Sequence, residues 1–302
     1  MLPDATRIGC PLATPFAGDD DGLAVDHDAL AALVSHVVDG GVDALVPCGT
    51  TGEFASLTPN EQRAVVETTV EAAPADVPVV AGASATSVGE TRSRVAAAAD
   101  AGADAAMVLP PYYHTSTKPV GDERFFDAVA ADSPLPIYLY NIPATVGGRI
   151  APETVAAAAD HESVVGIKDS SGDLAHVSGV LAGAPDGFQV FQGFDALLVP
   201  AVYTGATGGI NALSHLVPEA MIDAVEAVRA GDHDRARAIQ RERIDPLFRF
   251  CAEHGFAPAI KVALVADGVI PSAEVRPPLV LPGEGARDEI VETVERLRGE
   301  AA

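Results

Sequence analysis

The 302-residue sequence predicts an α/β fold, a (β/α)8 TIM barrel followed by a C-terminal helical extension. Three observations carry that expectation. Eight short, β-rich apolar runs alternate with amphipathic helical stretches before about residue 211. The runs are continuously apolar, as strands buried on both faces are, and do not alternate polar with apolar. No Gly-x-Gly-x-x-Gly follows the first run, which weighs against an open dinucleotide-binding sheet. The barrel is assigned to residues 1–225 and the helical extension to 226–302.

Ile8–Thr14 opens the series. Leu30, Leu33, Val34, Val37 and Val38 then follow the i, i+3, i+4, i+7, i+8 spacing of a buried helix face, which Gly40-Gly41 ends. Ala44–Cys48 is the second run, and Thr58-Pro59-Asn60-Glu61 behind it is a capping box with proline at the first helical position. Pro78–Ala83 is the third, followed by a second box at Ser87-Val88-Gly89-Glu90. Ala105–Leu109, Ile137–Asn141, Val164–Lys168, Phe188–Gln192 and Thr207–Asn211 complete the eight. Asp39-Gly40-Gly41-Val42-Asp43-Ala44 is echoed by Asp100-Ala101-Gly102-Ala103-Asp104-Ala105, each a helix end turning tightly into a strand. Beyond Asn211 the pattern is helical over Pro218–Arg229, Asp232–Glu253, Ala257–Ala266 and Gly285–Arg298. One of these helices finishes the barrel, and the others make the extension.

Chemistry in such a barrel sits at the C-terminal ends of the strands. Those ends present Thr14, Gly49-Thr50-Thr51-Gly52-Glu53, Tyr112-Tyr113, Tyr140-Asn141, Lys168, Gly193 and Gly209-Ile210-Asn211. Lysine is otherwise nearly absent, with Lys118, Lys168 and Lys261 the only ones. Lys168 closes the apolar run Val164-Val165-Gly166-Ile167, and burial of an amine favours its uncharged, nucleophilic form. Alone, a strand-end lysine reads equally as a side chain with its head in water. Converging with a tyrosine and paired hydroxyls, it is what Schiff-base carbonyl chemistry requires. The amine attacks, a phenol moves protons, and hydroxyls with backbone amides hold a carboxylate. Glu53 reads as a loop-orienting carboxylate, Tyr112-Tyr113 equally well as packing, and His114 as the one histidine near enough to touch a substrate. The strand ends lack the clustered histidines and carboxylates of a metal centre, so no metal is expected.

Four motifs in order, Gly-Thr-Thr-Gly-Glu at 49–53, Pro110-Pro111-Tyr112-Tyr113, Tyr140-Asn141-Ile142-Pro143 and Gly166-Ile167-Lys168-Asp169, resemble the dihydrodipicolinate synthase / N-acetylneuraminate lyase superfamily of pyruvate-dependent class I aldolases. The resemblance spans the whole barrel. It implies that Lys168 forms a covalent Schiff base with pyruvate and that no other cofactor is needed. Tyr140 would pass protons to and from the bound intermediate, Thr50 would belong to the hydroxyl relay, and Thr51 with neighbouring amides would bind the pyruvate carboxylate. Ile210 and Gly193 would border the bound substrate. Tyr113 resembles the tyrosine that some relatives insert across a subunit contact. The partners implied are a small keto acid, an aldehyde and further copies of the chain, as a homotetramer.

Superfamily members that make dihydrodipicolinate typically carry an arginine two residues after the proline of the Tyr-Asn-Ile-Pro motif, to grip the carboxylate of aspartate semialdehyde. Here that position is Thr145. Losing a bidentate carboxylate clamp is not a conservative change. Ile142-Pro143-Ala144 resembles sialic acid lyases and sugar-acid aldolases instead. The expected reaction is cleavage of 2-keto-3-deoxygluconate or its 6-phosphate to pyruvate and glyceraldehyde or its phosphate, as in modified Entner–Doudoroff routes. The alternatives are 4-hydroxy-tetrahydrodipicolinate synthase and another pyruvate lyase such as N-acetylneuraminate lyase. Lys118 and Arg149 are the candidates for holding an anionic substrate tail, with Lys118 the better placed; surface charge is an equally good reading of both.

Composition narrows the setting. No stretch reaches the roughly 18 apolar residues of a membrane span, and Met1 to Gly9 lacks the basic and apolar regions of an export signal. Three widely spaced cysteines argue against a disulfide scaffold or zinc site, and a cytoplasmic location is expected. Acidic residues number 43 against 19 basic ones, a net charge of -24, which repels nucleic acid and anionic membranes. So acidic and lysine-poor a chain suggests a halophilic protein, because a Debye length of about 3 Å at 1 M salt screens its self-repulsion. Transfer from molar to millimolar salt is therefore expected to lower the melting temperature or dissociate subunits; identical melting curves in both would remove the halophilic reading.

Overall fold

The computed structural model describes residues 1–19, 22–115 and 118–299. β1 (Ile8–Cys10) starts the barrel, and a small antiparallel hairpin, β2 (Phe16–Asp19) with β3 (Gly22–Val25), stands outside it. The first run was expected to extend to Thr14; instead the strand ends at Cys10, with one further bond from Leu12 N–H to Val46 O at 3.1 Å, and the hairpin leads into α1 (His27–Asp39). The barrel continues with β4 (Ala44–Leu45), α2 (Pro59–Ala72), β5 (Val80–Gly82), α3 (Val88–Asp100), β6 (Ala105–Val108), α4 (Pro119–Ala130) and β7 (Ile137–Asn141). After β7 come the one-turn α5 (Pro143–Val146) and α6 (Pro152–Ala159), then β8 (Val164–Asp169), α7 (Leu174–Gly183), β9 (Gln189–Gln192), α8 (Leu198–Thr204), β10 (Gly208–Ile210) and α9 (Pro218–Arg229).

The eight parallel strands run β4-β1-β10-β9-β8-β7-β6-β5 around the barrel. Closure between the two ends rests on the Leu45–Val79 bridge and on hydrogen bonds from Leu45 N–H to Pro78 O (3.0 Å) and Gly82 N–H to Pro47 O (2.9 Å). The expected (β/α)8 architecture is thus the observed one. Strand side chains alternate as a closed sheet demands. Val46, Val80, Met107, Tyr138 and Phe191 fill the interior, whereas Leu45, Ala81, Val108, Leu139 and Val190 pack outward under the helices. The N-terminal floor is plugged by Leu2, whose N–H donates to the Tyr138 hydroxyl at 2.8 Å while Gln189 Nε2 donates to its carbonyl at 2.9 Å.

The capping box at Thr58 has both arms, joining Thr58 Oγ1 to Glu61 N–H and the Glu61 carboxylate to Thr58 N–H. The box at Ser87 has only one. Ser87 accepts from Glu90 N–H, but the Glu90 carboxylate turns to Arg94 at 2.5 Å, a charged partner outcompeting a backbone amide.

Four helices follow the barrel: α10 (His233–Ile239), α11 (Asp245–His254), α12 (Phe256–Ala266) and α13 (Glu284–Gly299). The single helix expected over 232–253 is instead α10 and α11 joined by a π-helical turn at Gln240–Ile244. Pro246 lacks the N–H for an ordinary α-helical bond, and the wider turn accommodates it. Residue 225, the last assigned to the barrel, falls within α9. Among the described residues no helix is long and apolar enough to cross a membrane, and no cluster of His, Cys, Asp and Glu is suited to a metal.

His215, after β10, is fully buried and joins two strand-end loops. Its Nδ1 donates to Ala212 O (2.7 Å), and its Nε2 accepts from Ala13 N–H (3.1 Å), so the ring is held neutral. Burial pushes its pKa down to about 4, below the ordinary histidine value. As pH falls from about 6.5 toward 4 the unfolded chain binds a proton that the folded ring refuses, removing about 3 kcal/mol of stability. Asp195, pushed up by burial to about 6, has the opposite sign, so the effect is read against a variant. The free-energy advantage of wild type over His215→Gln in urea unfolding is expected to shrink by about that amount between pH 7 and pH 4.

Candidate active site

β7 and β8 pair in parallel with Tyr140 opposite Lys168 and Asn141 opposite Asp169. Neighbouring residues in register point to the same face, so the phenol and the amine project together into the barrel mouth. Lys168 is only 4% exposed, with its Nζ 4.4 Å from the Tyr140 ring centroid. The Tyr140 hydroxyl lies 3.2 Å from Thr50 Oγ1. Lys168, Tyr140, Thr50, Thr51, Gly193 and Ile210 all border one cavity of about 320 Å³. Six residues from five strand ends meet there. A Cβ at Gly193 would sit 2.7 Å from Lys168 Cε and 2.2 Å from Ser170 Oγ, so any larger residue there would displace the lysine and serine side chains.

Tyr113 and Lys118 are not brought to this cavity. Tyr113 is 88% exposed at a φ of 76°, its ring edge-on to His114, and Lys118 is exposed at the start of α4. Tyr112 turns inward against Phe54 and lines an adjoining chamber of about 250 Å³, which shares Thr50, Thr145 and Leu279 with the main cavity.

The loop carrying the two threonines is held from behind. Glu53 adopts a left-handed φ of 54° and is buried. Its Oε1 accepts from Lys261 Nζ at 2.5 Å and its Oε2 from Arg276 N–H at 3.0 Å. Lys261, itself wholly buried on α12, also donates to Glu274 O (2.9 Å) and stands 4.2 Å over the Phe16 ring. Burial draws the Lys261 pKa below the ordinary lysine value, against the opposing pull of Glu53. Thr14 Oγ1 donates to Gly52 O (2.7 Å), fixing the same loop from the segment between β1 and β2. Glu53 is thus the loop-orienting carboxylate expected, but its partner was legible only as a lone charge within the apolar stretch Ile260-Lys261-Val262.

Asp195, which the motifs did not single out, also lines the cavity, and its carboxylate accepts from Leu213 N–H at 2.9 Å. A carboxylate two residues past Gly193 was the available signal. Phe248, Phe256, Ala257 and Pro258 bring α11 and α12 into the cavity wall. Among the described residues bordering it, Lys168 is the one cation. Arg149 is instead tied to Asp173 at 2.8 Å.

A model of the Dihydrodipicolinate synthetase family matches residues 4–297. The chain belongs to that family. It is 36% identical over 279 residues to a 4-hydroxy-tetrahydrodipicolinate synthase of Syntrophus aciditrophicus, covering 92% of this chain and 94% of the relative. It is 41% identical over 245 residues to one of Natronomonas pharaonis, covering 81% of each. A prophage protein of the dihydrodipicolinic acid synthase family from E. coli K12, solved in complex with pyruvate, superposes with a TM-score of 0.88 at 29% identity, over 97% of this chain and 98% of that one. As a member of the family the protein is a pyruvate-dependent carbon–carbon lyase of the class I type, working through a covalent Schiff base and needing no separate cofactor.

Removing one partner of a buried ion pair strands the other charge. Glu53→Ala is expected to cost about 3–5 kcal/mol in urea unfolding, whereas the double variant Glu53→Gln with Lys261→Met should recover most of that loss. Equal destabilisation by both would show that the pair's charge is immaterial.

Proposed function

We propose that Lys168, Tyr140, Thr50 and Thr51 are the catalytic centre of a cytoplasmic, salt-adapted aldolase that cleaves 2-keto-3-deoxygluconate to pyruvate and glyceraldehyde. The observation that carries this reading is the charge of the cavity: Lys168 is its one described cation, and Thr145 stands where a carboxylate clamp would be needed. An aldehyde bearing a second carboxylate or a phosphate would meet no guanidinium there. A neutral polyhydroxylated tail can use the Thr145 and Ser170 hydroxyls and the Asp195 carboxylate.

The Lys168 amine adds to C2 of the keto acid and Tyr140 gives its proton to the departing water, leaving a protonated imine that withdraws electrons from the C3–C4 bond beside a phenolate ready to accept a proton. Tyr140, hydrogen-bonded to Thr50, takes the C4 hydroxyl proton as that bond breaks, the aldehyde leaves, and the proton returns to C3 of the enamine. Water hydrolyses the imine and frees pyruvate. Thr51 and the amides of its loop hold the carboxylate, with Gly193 and Ile210 shaping the floor. A homotetramer would give the exposed Tyr113 a neighbouring subunit to reach. Lys118, exposed and outside the cavity, has no part in this scheme.

The names of the relatives favour a second reading, 4-hydroxy-tetrahydrodipicolinate synthase, in which pyruvate condenses with aspartate semialdehyde. Cleavage of 2-keto-3-deoxygluconate and of its 6-phosphate, run beside that condensation in high salt, separates the two. Rapid cleavage of the free sugar acid is expected; condensation alone would select the second reading. Under either, pyruvate with borohydride should leave a reduced adduct on Lys168 and none on Lys118 or the ion-paired Lys261. Lys168→Arg should form no adduct, because guanidinium stays protonated. Tyr140→Phe should still trap pyruvate while losing roughly 100-fold or more in turnover, the usual contribution of a proton-transfer group. An adduct elsewhere, or full cleavage by both variants, would overturn the assignment.

A further inference from the structure

Directly behind the amine and the phenol, on the outward face of the same two strands, lies a closed circuit of polar contacts. Asn141 and Asp169 each follow a catalytic residue on its strand, and both are fully buried. Asn141 Nδ2 donates to Asp169 Oδ2 at 2.6 Å, and Asn141 Oδ1 accepts from Ile150 N–H at 3.1 Å. His176, on α7, closes the loop: its Nδ1 is 2.7 Å from Asp169 Oδ2, and its Nε2 is 2.7 Å from Ile150 O. Ser171, through N–H (3.0 Å) and Oγ (2.6 Å), donates to the other carboxylate oxygen.

Both neighbours of the His176 ring are acceptors only, a carboxylate and a carbonyl. An unprotonated ring nitrogen 2.7 Å from either would oppose lone pair to lone pair, so both nitrogens carry hydrogen and the ring is a buried imidazolium. His215 is the internal contrast, since one of its partners is an N–H and its ring is neutral. We propose that His176 is a positioning residue for Lys168: its imidazolium, ion-paired to Asp169 and hydrogen-bonded to the Ile150 carbonyl, closes a ring of polar contacts through Asn141 that locks together the strand ends bearing the amine and the phenol. This rests on the reading of Lys168 as the Schiff-base lysine.

The charged groups around His176 fit that role. Asp169, from β8, faces Nδ1 directly. Arg149, from the segment after β7, opposes the positive charge but is itself paired with Asp173, which caps α7 and accepts from His176 N–H. Glu153 and Asp160 at the ends of α6, which packs on α7, are exposed, and α8 carries no charged residue. Burial works against protonation of His176, yet the Asp169 contact and the Ile150 carbonyl outweigh it and hold its pKa above the ordinary histidine value. Burial likewise works against ionisation of Asp169, and the His176, Ser171 and Asn141 contacts bring its pKa below the carboxylate value. The sign follows: the circuit is complete at neutral pH and opens on the alkaline side as His176 loses its proton.

Two measurements test this. Nitrogen NMR of histidine-labelled wild-type protein should find both His176 ring nitrogens protonated at neutral pH. The rate of pyruvate trapping on Lys168 by borohydride is then compared between wild type and His176→Gln across pH, as a ratio that cancels the lysine's own titration. Wild type should be faster by about tenfold at neutral pH, within the roughly 100-fold that an ångström of misplacement can cost. The ratio should fall toward one as His176 deprotonates. A merely structural role gives a ratio that does not vary with pH, and that result, or a ratio of one throughout, overturns the inference. So does a singly protonated ring at neutral pH, a reading that needs no variant and stands even where His176→Gln fails to fold. Absence of any wild-type adduct on Lys168 would instead refute the Schiff-base reading and this inference with it.

Discussion

The chemistry of this protein depends on the register between two strands. β7 and β8 begin as an Ile137–Val164 pair, but the next pair is Tyr138–Gly166, so Val165 is one residue too many on β8. That irregularity advances the strand by one and sets Lys168 beside Tyr140. Without it Lys168 would pair with Asn141, whose side chain points outward, and Tyr140 with Ile167, since a one-residue slip exchanges the two faces. Gly166 makes the bulge feasible. A Cβ there would lie 2.6 Å from the Tyr138 ring and 2.5 Å from Gln189 O. Thus the glycine in the Gly-Ile-Lys-Asp motif is a packing requirement two residues upstream of the nucleophile.

The helical extension is part of the site. Lys261 on α12 secures the threonine loop through Glu53, and Phe248 and Phe256 wall the cavity. Gln240, in the π-helical turn, accepts from Val199 N–H at 3.1 Å and donates to Asp195 O at 3.3 Å, gripping the loop that presents the buried carboxylate. A bare barrel would leave the mouth open to water. With the extension in place, Lys168 and Tyr140 are nearly inaccessible while the cavity before them stays open to a small substrate.

What the sequence disclosed follows from where the information is local. The order and positions of the barrel strands, α9 and the capping box at Thr58 depend on neighbours within a few residues and stand in the fold where the pattern puts them, though the second strand spans only Ala44–Leu45 of the expected Ala44–Cys48. The catalytic motifs were legible because a barrel sends every strand end to one mouth. Long-range partnerships were not. Glu53 with Lys261 spans 208 residues, and the apolar run from Ile8 gave no sign that the strand ends at Cys10. Tyr113 and Lys118, both at a strand-to-helix loop, carried the right residue types, but only geometry separates a loop residue that turns inward, as Tyr112 does, from one that turns out.

The two buried histidines mark the boundary of what residue identity can say. His176 and His215 are each near-fully enclosed, and each bridges separate elements through its two ring nitrogens. Nothing in the flanking residues distinguishes them, yet their partners dictate opposite charges. A backbone N–H facing one ring nitrogen of His215 demands a lone pair there, and the protein keeps that ring neutral deep below the ordinary histidine value. A carboxylate and a carbonyl facing both nitrogens of His176 demand two protons. The charge of a buried imidazole is therefore fixed by which backbone and side-chain atoms the fold delivers to it. In this barrel the charged ring sits behind the strand ends that bear the reacting groups, and the neutral one helps seal the loops between β1 and α9.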